Sequence, residues 1–333
     1  MANLNQTTLS DAIKVQYEKR LLTRAVPRFV HGRWGKLASL NGYGSYELRK
    51  YSGLSAITSA LSEGATPAEQ STPTLALTTI TPLFYGAWIG HTDELEMTVF
   101  DPLISEVSSI LGEQAGLSAD TLIRNTMTDS ATDDFSGGAA SRVTLDAPQH
   151  NITYADWVKQ YTTLLANDAR PLEGADYVCI MHPHTLASLM NDPTFVNMFV
   201  QETSDNPMRS GYMGRILQCR VYISSNARSY ADSGVDSSTT VYSMLFIGSE
   251  AYGYLGFGNI APDMMDSGGD GFDTNTGKQV KPVEIIVNQL GSAGSADPLR
   301  QRATVGWKMA LAASVTNANW ILDLEHTNTF SDD

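Results

Sequence analysis

The sequence is poor in cysteine and has no long apolar run. Its 333 residues include two cysteines, Cys179 and Cys219, each alone in a predicted strand. This usage suits a reduced compartment such as the cytoplasm and supplies no cysteine metal motif, although a disulfide between the two stays open. The apolar stretch from Ile80 to Gly90 is shorter than the roughly 18 residues that a membrane span needs. The first twenty residues are polar, so we expect no secretory leader.

Motifs of catalysis and cofactor binding are also missing. The chain has no Gly-x-Ser-x-Gly elbow, Walker loop, paired zinc motif or dinucleotide fingerprint. His182 and His184 flank Pro183, and this predicts a helix start because no cysteine or carboxylate lies at ligand spacing. The acidic, glycine-rich run from Asp263 to Asp273 lacks the EF-hand spacing, which favours a solvated loop over a Ca²⁺ site. We expect a protein that is not an enzyme, with no catalytic residue, cofactor or metal.

Basic residues are concentrated near the beginning of the sequence. The net charge is −14, yet residues 1–50 hold nine Lys or Arg against three Asp or Glu, which leaves −20 for the remainder. Within this region Ser10 can cap a helix that Pro27 ends. We interpret the region as an arm that contacts phosphates or the acidic body of a neighbouring subunit. A solvated amphipathic helix is the alternative.

A predicted strand from Thr81 to Gly90 leads with almost no loop into a long predicted helix. Asp101 is a suitable N-cap, and Pro102 suits the first helical position because it needs no amide donor. Residues at helical spacing predict the buried face, namely Leu103, Val107, Ile110, Leu111, Gln114 and Leu117. A helix that continues to about Thr126 is roughly 35 Å long. Gly112 and Gly116 each cost about 1 kcal/mol relative to Ala, so they mark close packing or bending.

An extended hairpin is predicted upstream of this helix. Alternation predicts a strand at Tyr46–Tyr51, and its expected partner is the run from Leu77 to His91. The tip between them, from Gly53 to Leu75, is rich in small and polar residues and has little to bury. Each side could reach roughly 60 Å at 3.3 Å per residue. A hairpin of that length is poorly stable alone, so we expect it to rest on another molecule.

The rest of the chain predicts a mixture of strands and helices, in two lobes or in one lobe with long extensions. The expected strands are Asp176–Met181, Cys219–Ser224, Tyr242–Gly248 and Val283–Asn288, and the expected helices are Tyr154–Ala166 and Pro183–Met190. Apolar residues alternate from Val305 to Leu311 and again from Trp320 to Leu324, around a turn at Thr316–Asn319. This pattern predicts a closing hairpin.

Together these features resemble the major capsid proteins of tailed bacteriophages, specifically the coliphage N-four type family within the Hong Kong 97-like fold. The resemblance extends over nearly the whole chain. It is carried by Thr81 to Met97, Leu111 to Leu117 with Arg124 and Asn125, Ala175 to Pro183, and Asp297 to Lys308. These stretches look like packing and assembly signatures.

The resemblance implies an α+β Hong Kong 97-like capsid fold with four parts. These are an N-terminal arm at 1–43, an extended β-hairpin loop at 44–96, a peripheral domain at 97–152 with a long spine helix, and an axial domain at 153–290. Residues 291–333 return as C-terminal strands of the peripheral domain. Members of this family assemble as hexamers and pentamers into an icosahedral head around double-stranded DNA.

The expected partners are therefore copies of the same chain, packaged DNA bound without sequence preference, and decoration, portal and scaffolding proteins, with no membrane. The expected location is the virion, after synthesis in the host cytoplasm. Some members of the wider fold cross-link subunits through a loop lysine, but the tip from Gly53 to Leu75 has none, so we expect noncovalent stabilisation. The candidate assembly contacts are Arg20, Arg24, Arg28 and Arg33 in the arm, and Leu83, Phe84, Trp88, Val107 and Leu111, which we expect to pack the loop onto the helix.

Two alternatives stay open at this point. An encapsulin-like compartment would share the fold but hold cargo proteins instead of DNA. An acidic calcium-binding hydrolase or binding module, centred on Asp263 to Asp273, would be a monomer with metal-linked activity.

Overall fold

A computed structural model of the protein describes residues 29–38, 45–58, 60, 63–64, 66, 72–98, 103–172, 176–196, 215–235, 239–255, 284–292 and 297–329. The strands are β1 (Lys36–Ala38), β2 (Tyr46–Tyr51), β3 (Leu75–Ile80), β4 (Leu83–Thr92), β5 (Thr132–Phe135), β6 (Tyr177–Met181), β7 (Arg215–Ile216), β8 (Cys219–Ile223), β9 (Ser229–Tyr230), β10 (Val241–Ile247), β11 (Tyr252–Leu255), β12 (Glu284–Asn288), β13 (Arg302–Val315) and β14 (Ile321–His326). The helices include α1 (Asp93–Thr98), α2 (Leu103–Ser130), α3 (Tyr154–Ala166) and α4 (Pro183–Met190). The expected mixture of helices and sheets is confirmed.

A five-stranded sheet is built around the long strand β13. Its order is β1-β11-β13-β12, with β4 paired to β13 as well. Strand β4 runs antiparallel along Arg302–Leu311, and β11 takes over at Ala312–Val315. Side chains of β13 alternate between the two faces, and Val305, Trp307 and Met309 are buried. This buried face forms one side of the larger hydrophobic core.

Helix α2 packs against that core through residues spaced four apart. Leu111, Ala115, Ala119, Ile123 and Met127 are all buried in the same cluster as Trp307. This spacing keeps the side chains on one face of the helix, and the two alanines allow the helix to lie close to its neighbours. At 28 residues the helix is roughly 42 Å long. Gly112 and Gly116 are buried within it, in keeping with the predicted close packing.

The predicted buried face of this helix is only partly correct. Val107 and Leu111 contribute to the core, whereas Ile110 and Leu117 are exposed by 55% and 40%. The buried residues of α2 recur every four positions. Ile110 and Leu117 fall outside this series, so their side chains lie on other sides of the helix and point away from the sheet. Short helix α1 also separates β4 from α2, and the expected cap residues Asp101 and Pro102 lie outside the described residues.

A seven-stranded sheet holds the second core. Its order is β5-β14-β10-β6-β8-β7, with β9 paired to β10. Helix α3 covers it, and the Trp157 ring lies edge-on to Phe246 at 4.9 Å between centroids. Thr153 and Asp156 close a capping box at the start of α3, a motif worth about 1 kcal/mol. The predicted bounds of α3 and α4 are confirmed.

Two predicted hairpins need correction. Strand β2 pairs with β3, while β4, which was expected to continue the same hairpin, pairs with β13. Pro82 has no amide to donate to a ladder, and the strand is interrupted at this point. The paired part of the hairpin is therefore six residues, or roughly 20 Å, long.

The predicted closing hairpin is wrong. Strands β13 and β14 form where expected but belong to different sheets. Along Thr304–Lys308 both edges of β13 are already occupied, by β4 and by β12, and Ala312–Val315 pairs with β11. Strand β14 instead lies between β5 and β10. The turn between them is held by Ala251, whose carbonyl oxygen accepts from the amides of Thr316 and Asn317.

Candidate assembly interface

One face of the five-stranded sheet exposes aromatic and aliphatic side chains. On β4, Phe84 and Trp88 are 71% and 72% exposed. Ile286 of β12 and Lys308 of β13 lie on the same side, because β4 and β12 pair with β13 in register. We call Phe84, Trp88, Ile286 and Lys308 the outer face. An apolar patch of this kind on a single subunit marks a surface that another molecule covers.

The outer face surrounds a shallow groove of about 560 Å³. The Lys308 Nζ lies 4.9 Å from the centre of the Phe84 ring, within cation–π range. Gly306 is required beneath Trp88, since a Cβ there would lie 2.9 Å from the Trp88 Cβ. Gly86 is equally constrained, because its Cβ would lie 2.7 Å from the Trp307 carbonyl oxygen. The two glycines thus let β4 and β13 approach closely beneath the aromatic side chains.

The β2–β3 hairpin is a second exposed element. Its base is fixed by Leu48 and Ile80, which are buried against Leu255 in a small cluster of their own. Beyond that base Tyr51, Leu54, Ile57, Leu75 and Leu77 are all exposed. An open cleft of about 1290 Å³ separates β2 from the body of the subunit. The described part of the hairpin therefore buries little apolar surface within its own subunit.

The part of the predicted arm at Val30 and His31 is anchored to helix α2 by Asp120. One Asp120 oxygen accepts from the amides of Val30 and His31 at 2.7 and 2.6 Å, and the other lies 2.8 Å from His31 Nδ1. Asn226 donates to Asp120 at 2.7 Å. Phe29 packs into the core beside these bonds, and the Tyr252 hydroxyl donates to the His31 carbonyl oxygen.

The Asp120 and His31 side chains of this anchor are both fully buried, and their charges interact. Burial by itself raises the pKa of Asp120, but hydrogen bonds and charge interaction with His31, together with the bond from Asn226, outweigh it and keep the pKa below the usual value. Sequence reasoning missed the anchor. The one sequence feature that could have indicated this anchor is the acidic residue Asp120 beside the apolar stripe of α2. Nothing in the sequence indicates that Asp120 binds His31.

The predicted arm residues are mostly outside the described part of the chain. Arg20, Arg24 and Arg28 fall there, whereas Arg33 is exposed and donates through Nε to the Phe29 carbonyl oxygen at 3.0 Å. The acidic loop from Asp263 to Asp273 also lies outside.

The predicted packing of Leu83, Phe84 and Trp88 onto the helix does not occur within one subunit. All three are exposed, and Tyr85 and Ala87 face the core instead. Alternation along the strand explains the exposure of Phe84 and Trp88, which point away from the side that carries Tyr85 and Ala87. Leu83 is on the Tyr85 side, as the first residue of β4. Val107 and Leu111, which belong to helix α2 itself, do pack into the core.

The predicted histidine pair lies at the start of helix α4, and the two cysteines are buried in strands β6 and β8. His182 caps α4 by accepting from the His184 amide at 3.2 Å, and His184 Nδ1 lies 3.0 Å from the Tyr242 hydroxyl. Cys179 and Cys219 are buried and free. Burial raises the pKa of Cys179 well above its usual value and that of Cys219 to about 12, so both are protonated thiols at neutral pH.

None of the helices in the described ranges is long and apolar enough to cross a membrane.

Comparisons with known proteins point in one direction. A family model described as phage capsid protein matches residues 76–321. No curated protein matches the sequence significantly. Among solved structures, the capsid of Ralstonia phage GP4 aligns with a TM-score of 0.61 at 14% identity, over 89% of this chain and 86% of its own. The capsid asymmetric unit of cyanophage Pam1 aligns with a TM-score of 0.61 at 12% identity, over 94% and 93%. At such identities the structural likeness establishes the fold.

Proposed function

Because the chain belongs to the phage capsid protein family and is a major capsid protein of the head shell, we propose that it assembles as hexamers and pentamers around double-stranded DNA in a Hong Kong 97-like arrangement. The coliphage N-four type is the group to which we assign it. In this assignment 1–43 is the arm, 44–96 the extended loop, 97–152 with 291–333 the peripheral domain, and 153–290 the axial domain. Helix α2 is then the spine of the peripheral domain.

The observation that carries this proposal is the outer face. A side chain as large as Trp or Phe gains roughly 1.5–3 kcal/mol when it is fully buried, so leaving Phe84 and Trp88 in water is unfavourable. A neighbouring subunit that covers them recovers this free energy, and symmetry repeats the gain at every contact of the same kind. The role is structural, with self-association in place of catalysis.

The exposed hairpin and the arm supply the other contacts. Exposed apolar residues along β2–β3 and beyond it suit a loop that lies on an adjacent subunit. The Asp120 anchor ties the arm to helix α2 at Val30 and His31. On either side of this point in sequence, Arg20, Arg24, Arg28 and Arg33 contact packaged DNA or the acidic surface of a neighbour. Decoration, portal and scaffolding proteins are further proposed partners, and synthesis takes place in the host cytoplasm.

Shell stability is proposed to be noncovalent. The sequence from Gly53 to Leu75 contains no lysine that could form an isopeptide bond from the loop tip, and Lys50 lies at the base in β2. Mature particles should therefore give single subunits on a denaturing gel.

The outer face can be tested by the double variant Phe84→Asp/Trp88→Asp. Two charges in the buried contact should raise the protein concentration needed for assembly by at least about tenfold, the equivalent of 1.4 kcal/mol. Sedimentation and negative-stain microscopy measure this directly. The matched control is Val143→Asp, since Val143 is 68% exposed on a short helical turn outside the five-stranded sheet. Equal assembly of both variants would contradict the proposal.

A further inference from the structure

Three carboxylates converge at the edge of the seven-stranded sheet. Asp133 lies in β5 directly opposite Asp323 of the parallel strand β14, and Glu325 follows two residues later on the same side of β14. One carboxylate oxygen from each residue lies within 4.8 Å of the other two. Asp323 and Glu325 are fully buried, whereas Asp133 is exposed to solvent.

The positive charge at this cluster is insufficient to neutralise it. Arg142 donates from Nε to one Glu325 oxygen at 2.7 Å and from Nη2 to the other, and its guanidinium lies over the Tyr230 ring. Nearby Arg228 is engaged by Asp129, with 2.7 Å between Nη1 and Oδ1. When all three carboxylates are ionised, one guanidinium leaves two negative charges uncompensated. One of these lies on buried Asp323, which is unfavourable without a further cation or proton.

Asp323 provides an independent indication of a ligand. Its Oδ1 accepts a hydrogen bond from the Ser243 hydroxyl, but its Oδ2 is buried and has no hydrogen-bond partner among the described residues. Buried polar atoms nearly always have a partner, so this oxygen is an open position for one.

The ligand set favours calcium over magnesium. Calcium takes several oxygen ligands, carboxylates among them, at about 2.3–2.6 Å and in flexible geometry. Magnesium requires near-ideal octahedral geometry and keeps several waters, with only one or two carboxylates as ligands. Three carboxylates with oxygens within 4.8 Å of one another suit the ion that accepts more of them.

We propose that Asp133, Asp323 and Glu325 form a Ca²⁺ site that ties strand β5 to strand β14. Arg142 keeps its bonds to Glu325, whose oxygens have lone pairs left for the ion. Solvent reaches the site through exposed Asp133, and waters complete the coordination. None of these residues belongs to the acidic run from Asp263 to Asp273, and the proposal does not depend on shell assembly.

The test is titration of CaCl₂ into the chelator-stripped, full-length protein, followed by calorimetry and by thermal unfolding. We expect one Ca²⁺ per subunit and a rise in Tm of about 4 °C when the ion is at 100 times its Kd. Asp133→Asn should abolish both effects. Because this change also removes a repelling charge from an exposed position, the variant in chelator should be at least as stable as the wild type. The control Asp232→Asn, in an exposed loop outside the cluster, should bind normally.

Absence of binding heat together with an unchanged Tm would overturn the proposal. So would calcium binding that persists in Asp133→Asn, because the ion would then occupy another place. Magnesium at the same concentration should produce a smaller shift in Tm, and an equal shift would contradict the assignment to calcium.

Discussion

The buried Asp120 side chain fixes the position of the segment around Val30 and His31. Its carboxylate binds two backbone amides, one imidazole and one side-chain amide, all within 2.8 Å. Hydrogen bonds to an ionised group are about twice as strong as neutral ones. Because the folded pKa of Asp120 is lowered, this stabilisation is complete above its ordinary pKa of 3.8 and is lost as the pH falls below it.

Asp120→Asn should destabilise the subunit by about 2–3 kcal/mol, since it removes the charge and makes one oxygen a donor that faces Asn226 or His31. Urea denaturation of the unassembled subunit measures the change. Hydrogen exchange should also show lost protection at the amides of Val30 and His31. The matched control on the same helix is Asp129→Asn, an exposed partner of Arg228 whose loss should cost under about 1 kcal/mol. Similar losses for both variants would contradict the assigned role of Asp120.

His326 should make the subunit sensitive to acid. It is buried in β14, and its Nδ1 donates to the Thr327 carbonyl oxygen at 2.9 Å. Burial lowers its pKa from 6.5 to about 4, so the unfolded chain takes up this proton more readily than the folded one. The contribution of His326 is therefore full above pH 6.5 and declines towards pH 4, by about 3 kcal/mol in all.

The corresponding variant is His326→Asn, which retains a side-chain donor but does not titrate. Its free energy of unfolding should fall less than that of the wild type between about pH 7 and about pH 4.5. Urea denaturation at several pH values provides the comparison. Parallel pH curves for the two proteins would show that His326 has no part in the acid sensitivity.

Local sequence patterns predicted which helices and strands form, but not which strands pair with each other. The helices at Tyr154–Ala166 and Pro183–Met190 could be predicted to the residue because a capping box and a proline mark their starts. Strands β13 and β14 were also located correctly from alternation. Their placement in two different sheets depends on partners distant in the sequence, such as β4 and β10, and no local pattern encodes that.

Strand β4 illustrates the same limit for the candidate interface. The sequence predicted that Phe84 and Trp88 pack onto the helix, because apolar residues occupy both faces of this strand. An apolar side chain looks the same in sequence whether it faces its own core or a neighbour. The exposed Ile110 and Leu117 of α2 have the same ambiguity, and a surface between subunits would resolve it in the same way.

For the whole molecule, the two cores and the uncovered surfaces fit one subunit of a larger shell. The larger core joins the anchored N-terminal segment, α2 and the five-stranded sheet, and the second core joins α3 to the seven-stranded sheet. Both are built from buried residues of the same subunit. The outer face and the described part of the hairpin remain exposed, which suits surfaces that neighbouring copies cover.

Copies of this chain should cover each other's outer faces in a closed shell. Electron cryomicroscopy of the particles formed by the full-length protein tests this. We expect closed shells in which Phe84 and Trp88 of each subunit are buried against a neighbour. A protein that stays monomeric at high concentration, or shells in which both side chains face solvent, would contradict it.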